Sequence, residues 1–86
     1  METSPLEEEI IIIDLRRPPP GCTEHPLVRL KKAVKTLRKG EIIKVITDSR
    51  RIPVETIRVI ARKKGLSVKI VAENPPVFEV LVGENI

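Results

Sequence analysis

The chain contains no Trp, no Tyr and no Gln, and only one Phe, one Cys, one His and two Asn. Each shortage closes off a class of function. A single aromatic, Phe78, cannot build the stacking platforms of single-strand nucleic-acid binders or the cages that hold quaternary cations. One cysteine cannot form an internal disulfide, so the fold has to rest on its apolar core. No apolar run approaches the ~18–20 residues that span a bilayer. Residues 1–9 are acidic, unlike the basic start of a secretory leader, so a cytoplasmic location without membrane association is expected. The four glycines are scattered, which rules out a Gly-rich phosphate loop. At 86 residues the chain has room for one domain and one core.

What the chain does have is charge, unevenly placed. The formal net charge is +4. All sixteen Lys and Arg fall between Arg16 and Lys69, where only Glu24, Glu41, Asp48 and Glu55 oppose them, a local excess of twelve positive charges. The flanks carry the other eight acids and no base. A middle this basic predicts an acidic or anionic partner. Abundant Ile, Val, Lys, Arg and Glu beside scarce Asn and absent Gln resemble the composition of thermophile proteins.

Periodicity divides the chain into six elements. Ile10–Ile13 is a continuous apolar run bounded by charge, the pattern of a strand buried on both faces or central in a sheet. Pro18-Pro19-Pro20-Gly21 ends it, since prolines cannot donate to a ladder. From Pro26, Leu27, Leu30, Val34 and Leu37 with Ala33 fall on one face of a helix that Gly40 is expected to stop. Glu41–Thr47 reads as a strand, with Ile43, Val45 and Thr47 on one side. Pro53 opens a second helix with Val54, Ile57, Ile60 and Ala61 inward, closed by Lys63, Lys64 and Gly65. Leu66–Ala72 alternates as a strand with Leu66, Val68, Ile70 and Ala72 on one face. Asn74-Pro75-Pro76 turns the chain into a last strand over Val77–Val82. The order βαβαββ predicts an α+β two-layer sandwich: a four-stranded mixed sheet covered by two helices on one face. One domain is expected over residues 10–83, with a flexible acidic start at 1–9 and a tail at 84–86.

The reactive inventory is short. Cys22, Glu24 and His25 supply only part of the four-ligand set that a structural zinc needs, so no metal is expected. Cys22 lies in a Pro/Gly loop just before a strongly basic helix. Free N–H groups, the positive end of the dipole and nearby cations all favour thiolate over thiol, whose ordinary pKa is roughly 8.5. Glu24, two residues away, works against that depression.

The order of motifs resembles one family. Asp14-Leu15-Arg16, a loop with a cysteine, then His25-Pro26-Leu27-Val28-Arg29-Leu30-Lys31-Lys32-Ala33-Val34 looks like the start of the TusA/SirA-like sulfur carriers. The likeness continues through Lys39-Gly40-Glu41, Val45-Ile46-Thr47-Asp48 and Ala61-Arg62-Lys63-Lys64-Gly65 to the closing hairpin. The resemblance implies the same fold and a sulfur relay: a cysteine that takes sulfane sulfur from a donor protein as a persulfide and hands it to an acceptor, with no bound cofactor. Cys22 is then the transferring residue. His25, Arg16, Arg17, Arg29, Lys32, Arg50 and Arg51 become supporting or partner-docking residues, suited to partners with acidic surfaces. The family's Cys-Pro-x-Pro is degenerate here: with Pro26 as its second proline, its cysteine falls at Thr23 and its first proline at Glu24. Cys22 stands one residue early, in a loop about three residues longer than the family's.

Two other readings follow from the same residues. The chain could be a diverged member without transfer activity. It could instead be a basic RNA-binding module, since the C-terminal domain of bacterial translation initiation factor three shares the outline of this fold, although the missing aromatics count against it.

Overall fold

The computed structural model describes residues 10–17, 20, 21, 23–84 and 86. Cys22, Pro18, Pro19 and the acidic residues 1–9 lie outside the described residues. Six elements follow in the expected order: β1 (Ile10–Asp14), α1 (Pro26–Thr36), β2 (Ile42–Asp48), α2 (Val54–Lys63), β3 (Ser67–Asn74) and β4 (Val77–Gly83). They form one four-stranded sheet in the order β1-β2-β4-β3, with β1 parallel to β2 and both other pairings antiparallel. Neither helix is long and apolar enough to cross a membrane.

The core lies between the helices and one face of this sheet. Leu30 and Val34 from α1 and Ile57 and Ala61 from α2 pack on Ile43, Val45, Val80 and Val82, joined by Leu15 and Ile52 from the connections. Alternation in β2 and β4 makes this possible, since every second residue points to the same face. Thr47 continues the inward row of β2 and is the one polar side chain buried among the described residues. Its hydroxyl donates to the Ile52 carbonyl at 2.7 Å, which satisfies it and folds the β2–α2 connection back onto the strand.

Three local features depart from the sequence reading. Ile10–Ile13 is neither central nor covered on both faces. β1 is an edge strand, and Ile10, Ile11 and Ile12 are 54%, 41% and 64% exposed. β4 returns antiparallel from the hairpin onto the other edge of β2, so no strand among the described residues pairs with the outer edge of β1.

Helix α1 stops at Thr36, three residues before the sequence reading placed its end. The Thr36 hydroxyl bonds back to the carbonyls of Lys32 and Ala33, and Leu37 is already extended. A turn then closes from Glu41 N–H to the Arg38 carbonyl, while the Glu41 carboxylate accepts from Arg38 N–H. Gly40, at φ +89°, occupies the left-handed position of that turn rather than the helix cap.

In β3 a bulge between Ile70 and Ala72 adds one residue, so Ile70 faces Val80 but Ala72 faces Glu79. Ala72 therefore leaves the face shared by Val68 and Ile70. By contrast α2 ends as its sequence signals say. Gly65 N–H bonds to Arg62 and Leu66 N–H to Ala61, a Schellman closure with glycine at φ +72°.

Because β1 and β2 are parallel, their C-terminal ends, Asp14 and Asp48, emerge at the same end of the sheet. The starts of both helices follow from there. The β3–β4 turn joins this end as well, its Pro76 carbonyl accepting from Ser49 N–H at 2.8 Å.

Candidate functional site

The end of the sheet that carries the cysteine loop is built twice over from one local device. Each parallel strand ends in Asp-x-Arg-Arg. At Asp14, Arg16 donates its backbone N–H and its Nε to Oδ1, both at 2.9 Å, and its Nη2 to Oδ2 at 2.8 Å. At Asp48, Arg50 repeats the arrangement at 2.9, 3.0 and 2.7 Å. A carboxylate accepting three N–H donors is held in its charged form. The Arg50 guanidinium, then its backbone N–H, lowers Asp48 to about 2, and Arg16 lowers Asp14 in the same way. These pairs use up two of the four arginines that the sequence brings to this end. Arg17 and Arg51 have no acidic partner among the described residues.

This geometry sets an acid limit on stability. An unfolded aspartate protonates near 3.8, whereas folded Asp48 holds its charge down to about 2. The Asp48–Arg50 fork therefore adds stability that is fully present above that range and is lost as pH falls through it. Asp48→Asn should flatten the acid limb between roughly pH 4 and pH 2, read as the urea midpoint against pH. A limb as steep as the parent's would place the acid sensitivity elsewhere.

The loop of Cys22 is held from both sides by α1. Arg29 sits in the first turn of the helix and reaches back, its Nη1 donating to the carbonyls of Arg17 at 3.2 Å and Asp14 at 3.4 Å. That pins the start of the loop to the helix at its end. Lys32, one turn along from Val28, pairs with Glu24. The Glu24 carboxylate of this loop therefore has a cation beside it. Arg29 and Lys32 are thus both engaged at the loop, although Lys32 stays exposed.

His25 is the N-cap. Its Nδ1 accepts from Leu27 N–H at 3.0 Å, which fixes the proton of the neutral ring on Nε2. The first turn has no spare donors, contrary to the expectation from sequence. Pro26 has no N–H, Leu27 is taken by the imidazole, and Val28 and Arg29 bond to the His25 carbonyl at 2.9 and 3.2 Å. What α1 offers an anion in the loop is thus its dipole and the nearby guanidinium charges, not free N–H groups.

The residues flanking position 22 that the structure describes, Pro20, Gly21 and Thr23, are all exposed. Gly21 is at φ +78° with open space where a Cβ would stand, a conformation that favours glycine. The loop's described residues are therefore open to approach, on a rim with more positive than negative charge.

Sequence reasoning found the basic residues but missed Asp14 and Asp48 as the groups that hold two of them. The signal was present: Asp-x-Arg-Arg occurs twice, each time where a strand ends.

Compared with known proteins, the chain matches the family model described as Sulfurtransferase TusA over residues 25–83. The match starts at the N-cap of α1 and runs to the last residue of β4, leaving Cys22 three residues ahead of it. No individual curated protein matches the chain.

Proposed function

The chain belongs to the TusA sulfurtransferase family, and from that membership we propose that it carries sulfane sulfur as a persulfide on Cys22 between a donor and an acceptor protein. The observation that carries this reading is the family match itself, which begins at the helix start that the Cys22 loop leads into. The basic rim supports it, because a persulfide is an anion for most of its life near neutral pH and gains from Arg17, Arg51 and the α1 dipole.

The chemistry closes without a cofactor. The Cys22 thiol gives its proton to solvent, and the thiolate attacks the outer sulfur of a donor persulfide. The new S–S bond forms as the donor's S–S bond breaks, the donor leaves as thiolate, and no external oxidant is used. Passing the sulfur on repeats the exchange, with Cys22 now the leaving thiolate. Two partners must therefore approach the loop in turn, and family members work with other sulfur-relay proteins. Arg51 and Arg17 would meet acidic surfaces on them.

Incubating the protein with a persulfide donor and weighing it intact tests the proposal. The expected result is a mass gain of one sulfur atom that is reversed by a thiol reductant and absent in Cys22→Ser. No gain from several donors, with the fold intact, would instead favour a member that docks partners without transferring sulfur. One observation speaks for that second reading: the matched stretch begins after both Cys22 and Thr23, and counting back from Pro26 through Cys-Pro-x-Pro leads to Thr23 rather than Cys22.

A further inference from the structure

The helical layer carries a second feature, away from the cysteine loop. A groove of about 250 Å³ runs between α1 and α2, lined by Val34 and Ile60 on its floor and by Lys31, Lys35, Lys63 and Lys64 on its rim. No acidic side chain lines it. The acids near other bases are already engaged, Asp14 with Arg16, Glu24 with Lys32, Asp48 with Arg50, Glu55 with Arg58 and Glu79 with Lys44. The four rim lysines have no acidic partner among the described residues. Two more apolar side chains of the same two helices, Val28 and Val59, are exposed. Val28 precedes Lys31 and Lys35 by three and seven residues, and Val59 precedes Lys63 by four, so each shares a helical stripe with the rim.

Four like charges around an apolar floor repel one another and gain from a counter-charge that also covers the floor. A phosphate backbone would meet the lysines but leave Val28, Val59 and Ile60 uncovered, and the chain has no aromatic there to stack a base. A second copy would bring an equally basic helical layer. An α-helix with an apolar stripe between two rows of acids satisfies both requirements, and its ~10–12 Å width suits the trough between two packed helices.

We propose that the α1–α2 groove docks an acidic amphipathic helix of a sulfur-relay partner, anchoring that partner while its own cysteine reaches the loop at the end of the sheet. The partner's identity as a relay protein rests on the reading above; the groove's preference for such a helix does not.

The probe is a synthetic helical peptide of Glu and Leu, with Leu at i, i+3, i+4 and i+7 and about 18 residues long so that it can be helical alone. Amide chemical shifts of the labelled full chain should move at Lys31, Val34, Lys35, Ile60 and Lys63. The joint variant Lys31→Glu/Lys35→Glu/Lys63→Glu should weaken binding at least ~10-fold. A variant of equal charge change outside the groove, Arg58→Glu and Arg62→Glu on α2 with Lys69→Glu on β3, should weaken it less than ~3-fold at physiological salt, where the Debye length is about 8 Å. Replacing the peptide's Leu by Ser should abolish binding while leaving its charge.

The milder Lys31→Gln/Lys35→Gln/Lys63→Gln variant covers the case in which the reversals disturb the fold. Equal weakening by both reversals, shifts confined to the loop end, or tighter binding of duplex RNA to the same lysines would each overturn the proposal. The probe has no thiol, so failure here leaves sulfur transfer standing, and failure of Cys22 to take up sulfur leaves the groove standing.

Discussion

The double variant Cys22→Ser/Thr23→Cys should take up sulfur at least as fast as the parent, whereas Cys22→Ser alone should take up none. A transferring cysteine needs an approachable thiolate near positive charge, and position 23 meets both conditions. Thr23 is exposed, and it stands one residue closer to the start of α1. Its new neighbour would be Glu24, but Lys32 already pairs with that carboxylate, so little of its charge opposes a thiolate. Counting back from Pro26 in the family's Cys-Pro-x-Pro also leads to position 23. Intact mass after a fixed exposure to donor, with the thiol titrated by alkylation rate against pH, measures both uptake and thiolate fraction. A folded double variant that stays inert would mean that the longer loop has been rebuilt around position 22 and that the one-residue offset is functional in itself.

Much of the fold was legible because local signals and the global arrangement agree. Pro26 and Pro53 open helices, Gly65 closes one, and the inward rows of β2 and β4 alternate as a half-covered sheet requires. The exceptions share a cause. Ile10–Ile13 shows how apolar β1 is, but not that both later strands, β4 and β3, add to the far side of β2 and leave β1 at the edge. The bulge at Val71 and the early stop of α1 depend on single backbone and hydroxyl contacts that leave the hydrophobic pattern unchanged.

At the candidate site the residue types were legible and their pairing was only partly so. Asp-x-Arg brings its partners together within three residues, so the Asp14–Arg16 and Asp48–Arg50 forks could be read from sequence. Lys32–Glu24 and the reach of Arg29 to Arg17 span a loop and need the fold to bring them together. This changes what the basic residues mean. Arg16, Arg29, Lys32 and Arg50 are engaged at the loop end, while Arg17 and Arg51 have no acidic partner among the described residues.

Leu30 and Arg29, adjacent on α1, should separate stability from transfer. Leu30 is fully buried against the sheet. Leu30→Ala removes a large side chain from a close-packed core and should cost ~2–5 kcal/mol. A chain of 86 residues has roughly 4–13 kcal/mol of total stability on a per-residue scale, so this change takes much of it. The midpoint of thermal unfolding should fall by at least ~10 °C. Arg29→Ala loses two long, partly exposed bonds to carbonyls that water can replace, at a cost of about 1 kcal/mol.

The effects on sulfur uptake should run the other way. At a temperature where both variants are folded, Leu30→Ala leaves every described contact of the loop in place and should transfer at close to the parent's rate. Arg29→Ala frees the start of the loop from the helix and should slow transfer several-fold at every temperature. Near-ultraviolet circular dichroism is of little use with a single Phe, so far-ultraviolet melts and intact mass against time are the measurements to pair. If the two variants lose activity in proportion to lost stability, Arg29 merely helps to hold the fold, and the loop needs no pin.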